Sequence, residues 1–239
     1  MCIRDSCIAD YNVAANAQMI KIPETSKPID ACLGEPMMCV ANIVRAVEPK
    51  MGDRVAVIGC GFMGLMVIAG LKSRALGDIV AIDLDEKRLE MAVQYGATKT
   101  INPKNVDVED VSFELTHGRM YDCIVEITGS LRGLQTALSV AKISGRGKIL
   151  APSVYSKNET WTEEMAYNMM YRSPIIHVVH PYYTNEYMHT LEIGVEAYVK
   201  GVFPTEELIT HRIPFERVDE GFRLLDTNPP GYIKGIITF

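Results

Sequence analysis

No run of about eighteen apolar residues occurs in the 239-residue sequence, so a membrane-spanning helix is not expected. No C-x-x-C spacing occurs among the six cysteines, Cys2, Cys7, Cys32, Cys39, Cys60 and Cys123. Neither a disulfide framework nor a closed zinc site is therefore predicted, and the thiols read as free in a reducing cytoplasm. Basic excess is missing too: a net charge of −6 argues against a nucleic-acid surface. The opening Met1–Ser6 has no apolar core of a signal peptide; it reads as adapter-derived and is set aside. No internal repeat and no low-complexity linker interrupts the chain. No two histidines have metal-pair spacing on a predicted helix. His117 reads as a helix-closing residue and His211 as structural, while His177, His180 and His189 fall near a prospective cleft without forming a ligand pair.

What remains is ordinary globular composition, 48% apolar and 23% charged, enough for a sizeable core. The first fifty residues read as extended chain punctuated by proline, with a helix beginning at Pro36. From Met51 short apolar runs alternate with helical segments, the pattern of a parallel α/β sheet. Strands are expected at Arg54–Ile58, Asp78–Ile82, Tyr121–Glu126, Gly147–Ala151 and Pro174–Val179. Helices are expected from the glycine turn to Leu71, over Asp85–Tyr95 with Gly96 as stop, and over Leu131–Ala141, Trp161–Tyr171 and Thr184–Lys200. The rhythm then changes to a strand at Leu208–Arg212, a helix at Phe215–Leu225 and a closing strand at Tyr232–Thr238.

Gly59-Cys60-Gly61-Phe62-Met63-Gly64 fits G-x-G-x-x-G. Alone the motif is weak; following a buried strand and opening a helix, it has the context that gives it meaning. Gly59 permits the tight turn, Gly61 lets a pyrophosphate approach the backbone, and Gly64 lets helix and strand pack closely. The helix N-terminus offers N–H groups and partial positive charge to the phosphates. Asp83 ends the second strand, nineteen positions past Gly64. A carboxylate there accepts both adenosine ribose hydroxyls and repels a 2′-phosphate, which points to NAD over NADP. The plainer reading is that Asp83 caps the next helix. An S-adenosylmethionine methyltransferase shares this β-α-β opening. It is disfavoured because no acid stands in the first strand just before the glycines, and because the third glycine sits where dinucleotide folds need it.

Taken with Glu35-Pro36-Met37, Gly52-Asp53-Arg54-Val55, Arg88-Leu89-Glu90, Gly96-Ala97 and Asn102-Pro103, the chain resembles the medium-chain dehydrogenase/reductase family, in its zinc-type alcohol and polyol branch. The tail agrees, through Leu208–Glu216, Asp219-Glu220-Gly221-Phe222 and the closing Ile236–Phe239, so that the resemblance runs from about Ala9 to Phe239. It implies an α/β fold: a doubly wound, parallel-sheet Rossmann domain at 29–183, flanked by remnants of a GroES-like catalytic domain at 1–28 and 184–239. It also implies an N-terminally truncated fragment, because the residues that hold the catalytic zinc in this family are not found here.

The resemblance carries further roles. Arg88 flanks the adenine ribose, Thr128 and Gly129 form the loop over the dinucleotide, Val178 and His180 meet the nicotinamide carboxamide, and Lys234 meets the pyrophosphate. Glu35 is the acidic neighbour of the zinc. Plainer readings stand beside these: Arg88 as a solvated helix charge, Lys234 as an exposed strand lysine, Glu35 as a cap for the helix at Pro36, and Cys39 as a small buried hydrophobe. The implied activity is hydride transfer between NAD and an alcohol or polyol, zinc-dependent in the intact protein, with a small alcohol or carbonyl substrate and a homodimer or homotetramer. Two competitors are a zinc-free quinone-reductase-like relative, disfavoured by Asp83 and Glu35-Pro36, and a non-catalytic NAD-binding module.

Overall fold

The computed structural model describes residues 19–143, 146–180 and 186–239. The expectations for Met1–Ser6, Cys2, Cys7, Ala9, most of segment 1–28 and the boundary at 183/184 lie outside the described residues. So does the expected helix start at Thr184.

Val55, Ala56, Val57 and Ile58 are all buried, so their strand must be covered on both faces. That strand, β1 (Arg54–Ile58), stands inside a six-stranded parallel sheet with β2 (Asp78–Ile82), β3 (Lys99–Ile101), β4 (Cys123–Glu126), β5 (Lys148–Leu150) and β6 (Ile175–His177). The order β3-β2-β1-β4-β5-β6 makes it a Rossmann-like sheet. The registers Ile58↔Ile82 and Ile58↔Glu126 align the carboxyl ends of the three central strands. Strand side chains alternate between faces. Ala56, Ile58, Val80, Ile82 and Ile124 join Leu134, Leu138 and Met165 in one cluster, while Val55, Val57, Ile79, Ala81 and Val125 are equally buried on the other face.

Helices join the strands. α1 (Gly34–Val47) precedes β1, so the early residues are less extended than their prolines suggest. α2 (Phe62–Leu71) is apolar all round and mostly buried. α3 (Glu86–Tyr95) is capped by the Asp85 side chain and stopped by Gly96 at φ 125°. α4 (Val108–Leu115), α5 (Leu131–Val140) and α6 (Glu163–Arg172) are capped by Asp107, Ser130 and Thr162. Strand β3 and helix α4 were not anticipated. The expected start of β4 at Tyr121 moves to Cys123, because Tyr121 instead makes an isolated bridge to Ala141. At the far end of the sheet, Lys148 Nζ donates to the carbonyls of Ala46 (3.1 Å) and Val47 (3.3 Å) and pairs with Glu48, closing the end of α1.

The chain divides into two compact units, one being Val40–Asn185 and the other the residues up to Cys39 with Glu186–Phe239. The second contains α7 (Tyr187–Val199), α8 (Thr205–Leu208), β7 (Ile209–Pro214), α9 (Val218–Thr227) and β8 (Lys234–Thr238). The single helix expected from Phe215 is a 3-10 turn, Phe215–Arg217, followed by α9. Strands β7 and β8 pair in parallel, with α9 as their crossover. Gly194 lets α7 approach the first turn of α1, since an added Cβ would lie 2.8 Å from the Met37 backbone. Tyr198 donates to the Pro28 carbonyl (2.7 Å), and Lys27 pairs with Glu206 (3.0 Å). No separate GroES-like domain is resolved among the described residues, and no described helix is long and apolar enough to cross a membrane.

Candidate functional site

The glycine turn joins β1 to α2 at the carboxyl edge of the sheet, where ligands of open α/β folds bind. Its three glycines are required for three different reasons. Gly59 adopts φ 99°, and a Cβ there would also press on Thr128 at 2.9 Å. A Cβ on Gly64 would fall 1.9 Å from the Gly59 carbonyl oxygen. Gly61, the N-cap of α2, has an unstrained backbone and nothing within 4 Å of its Cβ direction. That open space lies in front of the α2 N-terminus, whose N-cap residue makes no side-chain cap bond. Phe62 and Met63 are the first residues of that helix.

Asp83 does not cap α3; Asp85 does that. Instead the Asp83 carboxylate bridges two loops, accepting from the Cys60 N–H (2.6 Å) and the Asp85 N–H (2.9 Å). A carboxylate has about four acceptor sites, so this half-exposed group can accept further hydrogen bonds. Cys60 lies fully buried behind the turn, and burial, reinforced by the Asp83 charge, pushes its thiol well up. The Arg88 charge, on the first turn of α3, opposes that shift.

Thr128 and Gly129 follow β4. Thr128 donates from its N–H (2.8 Å) and its hydroxyl (2.5 Å) to Glu126 Oε1. Gly129 has φ 72°, and a Cβ there would meet the Val154 carbonyl at 3.3 Å, so this loop lies against the one after β5. Val178 is exposed and His180 half-buried, both just past β6, while the Val179 N–H donates to Ala151 (3.4 Å). One unit thus holds Gly59, Gly61, Phe62, Met63, Gly64, Asp83, Arg88, Thr128, Gly129, Val178 and His180 at or beyond strand ends.

Glu35 and Lys234 fall in the other unit and influence each other there. Burial lowers the Lys234 ammonium below its usual range, and the Glu35 charge opposes the shift. Glu35 also accepts from Cys39 Sγ (3.1 Å). Among the described residues no group of three or more His, Cys, Asp or Glu could hold a metal ion.

Sequence reasoning missed Glu126, which is completely buried and also accepts from the Tyr155 hydroxyl (2.5 Å). The burial and the Glu126 carboxylate together push the Tyr155 phenol well up. The available signal was an acid ending an otherwise apolar strand.

A family profile described as zinc-binding dehydrogenase matches residues 63–199. The chain is 30% identical to an L-threonine 3-dehydrogenase of Bacillus licheniformis, over 92% of this chain and 62% of that protein. It is 29% identical to alcohol dehydrogenase 1 of Pisum sativum, over 91% of this chain and 57% of that protein. Among solved structures, an Escherichia coli oxidoreductase/dehydrogenase of unknown specificity superposes with a TM-score of 0.78 at 25% identity, covering 91% of this chain and 59% of the other. The chain therefore spans about six-tenths of the length of these relatives. A Rossmann sheet with its glycine turn, matched in sequence across more than half its length, places this chain in the medium-chain dehydrogenase/reductase family, among the zinc-type alcohol and polyol dehydrogenases.

Proposed function

We propose that the chain is the cofactor-binding and C-terminal part of a zinc-dependent alcohol or polyol dehydrogenase that uses NAD. The observation that carries this reading is Asp83, bonded to the glycine turn beside the open face of Gly61. NAD, when bound, supplies a nicotinamide that takes or gives a hydride. The protein's own residues bind and orient it. The α2 N-terminus receives the pyrophosphate, Asp83 and Arg88 receive the adenine ribose, and Thr128, Gly129, Val178 and His180 line the other half. The intact substrate is a small alcohol or its carbonyl product. Segments 1–28 and 184–239 are proposed as remnants of a GroES-like catalytic domain that flank a cofactor domain at 29–183 in the sequence.

Zinc does not fit the described residues by themselves. A catalytic site takes about three protein ligands and one open position, whereas Glu35 is one carboxylate with Cys39 as its donor. We place the remaining ligands in the part of the relatives' length that this chain does not span. Fluorescence titration with NADH and NADPH tests the cofactor reading. NADH is expected to bind at least about tenfold tighter, since charges this close repel by on the order of 1–4 kcal/mol. Asp83→Ser should narrow the gap. Equal or tighter NADPH binding overturns it.

A further inference from the structure

Two loops at the carboxyl edge of the sheet are fastened by a residue outside the glycine turn. Glu126 ends β4 with no exposed surface, and both its oxygens are engaged. Oε1 accepts from the Thr128 N–H and hydroxyl, and Oε2 accepts from the Tyr155 hydroxyl. A buried carboxylate is costly unless its lone pairs are filled, so Thr128 and Tyr155 are held by the need to fill them. Gly133 leaves the space this requires; a Cβ there would lie 2.4 Å from Glu126 Oε1. The Tyr155 ring packs against the core cluster, so its hydroxyl has a rigid mount. A second tie joins the same loops, the Leu131 N–H donating to Glu159 Oε2 (2.5 Å). The glycine turn completes the chain of contacts, since Gly59 abuts Thr128.

We propose that Tyr155 is a positioning residue: through Glu126 it locks the loop after β5 to Thr128–Gly129 and so preforms the half of the site that receives the nicotinamide. The inference rests on the NAD reading. In a sheet of this order Asp83, on the β1–β2–β3 side, serves the adenosine, and the loops after β4, β5 and β6 serve the other half. Binding is tightest where loops are ordered beforehand, so releasing this lock taxes only ligands that reach it.

Two probes separate the halves, NADH and ADP-ribose, the latter lacking the nicotinamide. Tyr155→Phe removes one hydroxyl and keeps the packing ring. The expected result is NADH binding weakened by roughly two- to tenfold, ADP-ribose affinity unchanged, and bound-NADH emission shifted toward that of free NADH. Glu126→Gln, which keeps the volume but turns an amide toward a donor, should reproduce the split and serves if Tyr155→Phe does not fold. Equal weakening of both probes, or none, overturns the proposal and leaves the NAD reading standing. Failure of the unaltered chain to bind either probe overturns both.

Discussion

Two neighbouring glycines separate folding from binding. A methyl on Gly64 has no space, because the Gly59 carbonyl oxygen occupies it. A methyl on Gly61 meets nothing, and its φ of −74° suits any residue. Gly64→Ala is therefore expected to lower stability by about 1–3 kcal/mol or more, as overpacking does, with weaker NADH binding as a by-product. Gly61→Ala should melt within a degree or two of the unaltered protein yet bind NADH poorly, since the methyl takes the pyrophosphate's place. Thermal melts paired with NADH titrations check both; a destabilised Gly61→Ala of normal affinity would mean the cradle is misidentified. Glu126 marks the limit of reading at this scale. Glutamate usually sits in water, and nothing local to an Ile-Val-Glu stretch reveals that Thr128 and Tyr155, the latter 29 residues on, supply donors that let it be buried.

Strand β6 ends the sheet, and its side chains stay exposed, Ile175 at 48% and Ile176 at 39%. An apolar edge strand invites another strand. We propose that two copies pair there, giving a homodimer or a homotetramer built from it. Ile176→Lys should shift sedimentation toward monomer at micromolar concentration, and a monomeric unaltered chain would refute the pairing. The elements readable in advance were those with strong local signals. Arg54–Ile58 is apolar throughout, and Asp85 with Gly96 brackets α3 as cap and stop. Lys99–Ile101 is too short for alternation to register, with only Ile101 buried. Helix α4 has eight residues and points Phe113 outward, which blurs its apolar stripe. Both are held by tertiary contacts rather than by their own periodicity, β3 by pairing with β2 and α4 by packing Val108, Val111 and Leu115 against the core.

Across the whole molecule the two units differ in how well they are covered. The central strands of the Val40–Asn185 sheet are buried on both faces, whereas α9 has no buried residue and leaves Phe222 and Leu225 more than 60% exposed. The purified chain is expected to bind NADH, to hold zinc well below one equivalent, and to reduce no NAD with primary, secondary or polyhydric alcohols. Metal analysis and a spectrophotometric assay check this; tightly bound stoichiometric zinc with steady turnover would refute it. Lys148 also ties the finished fold to the order of its synthesis. A ribosome delivers it about a hundred residues after Ala46 and Val47, whose carbonyls it caps. At roughly 5–20 residues per second, the end of α1 waits on the order of 5–20 s for that cap. A helix begun among the first fifty residues is thus closed only once β5 has left the exit tunnel.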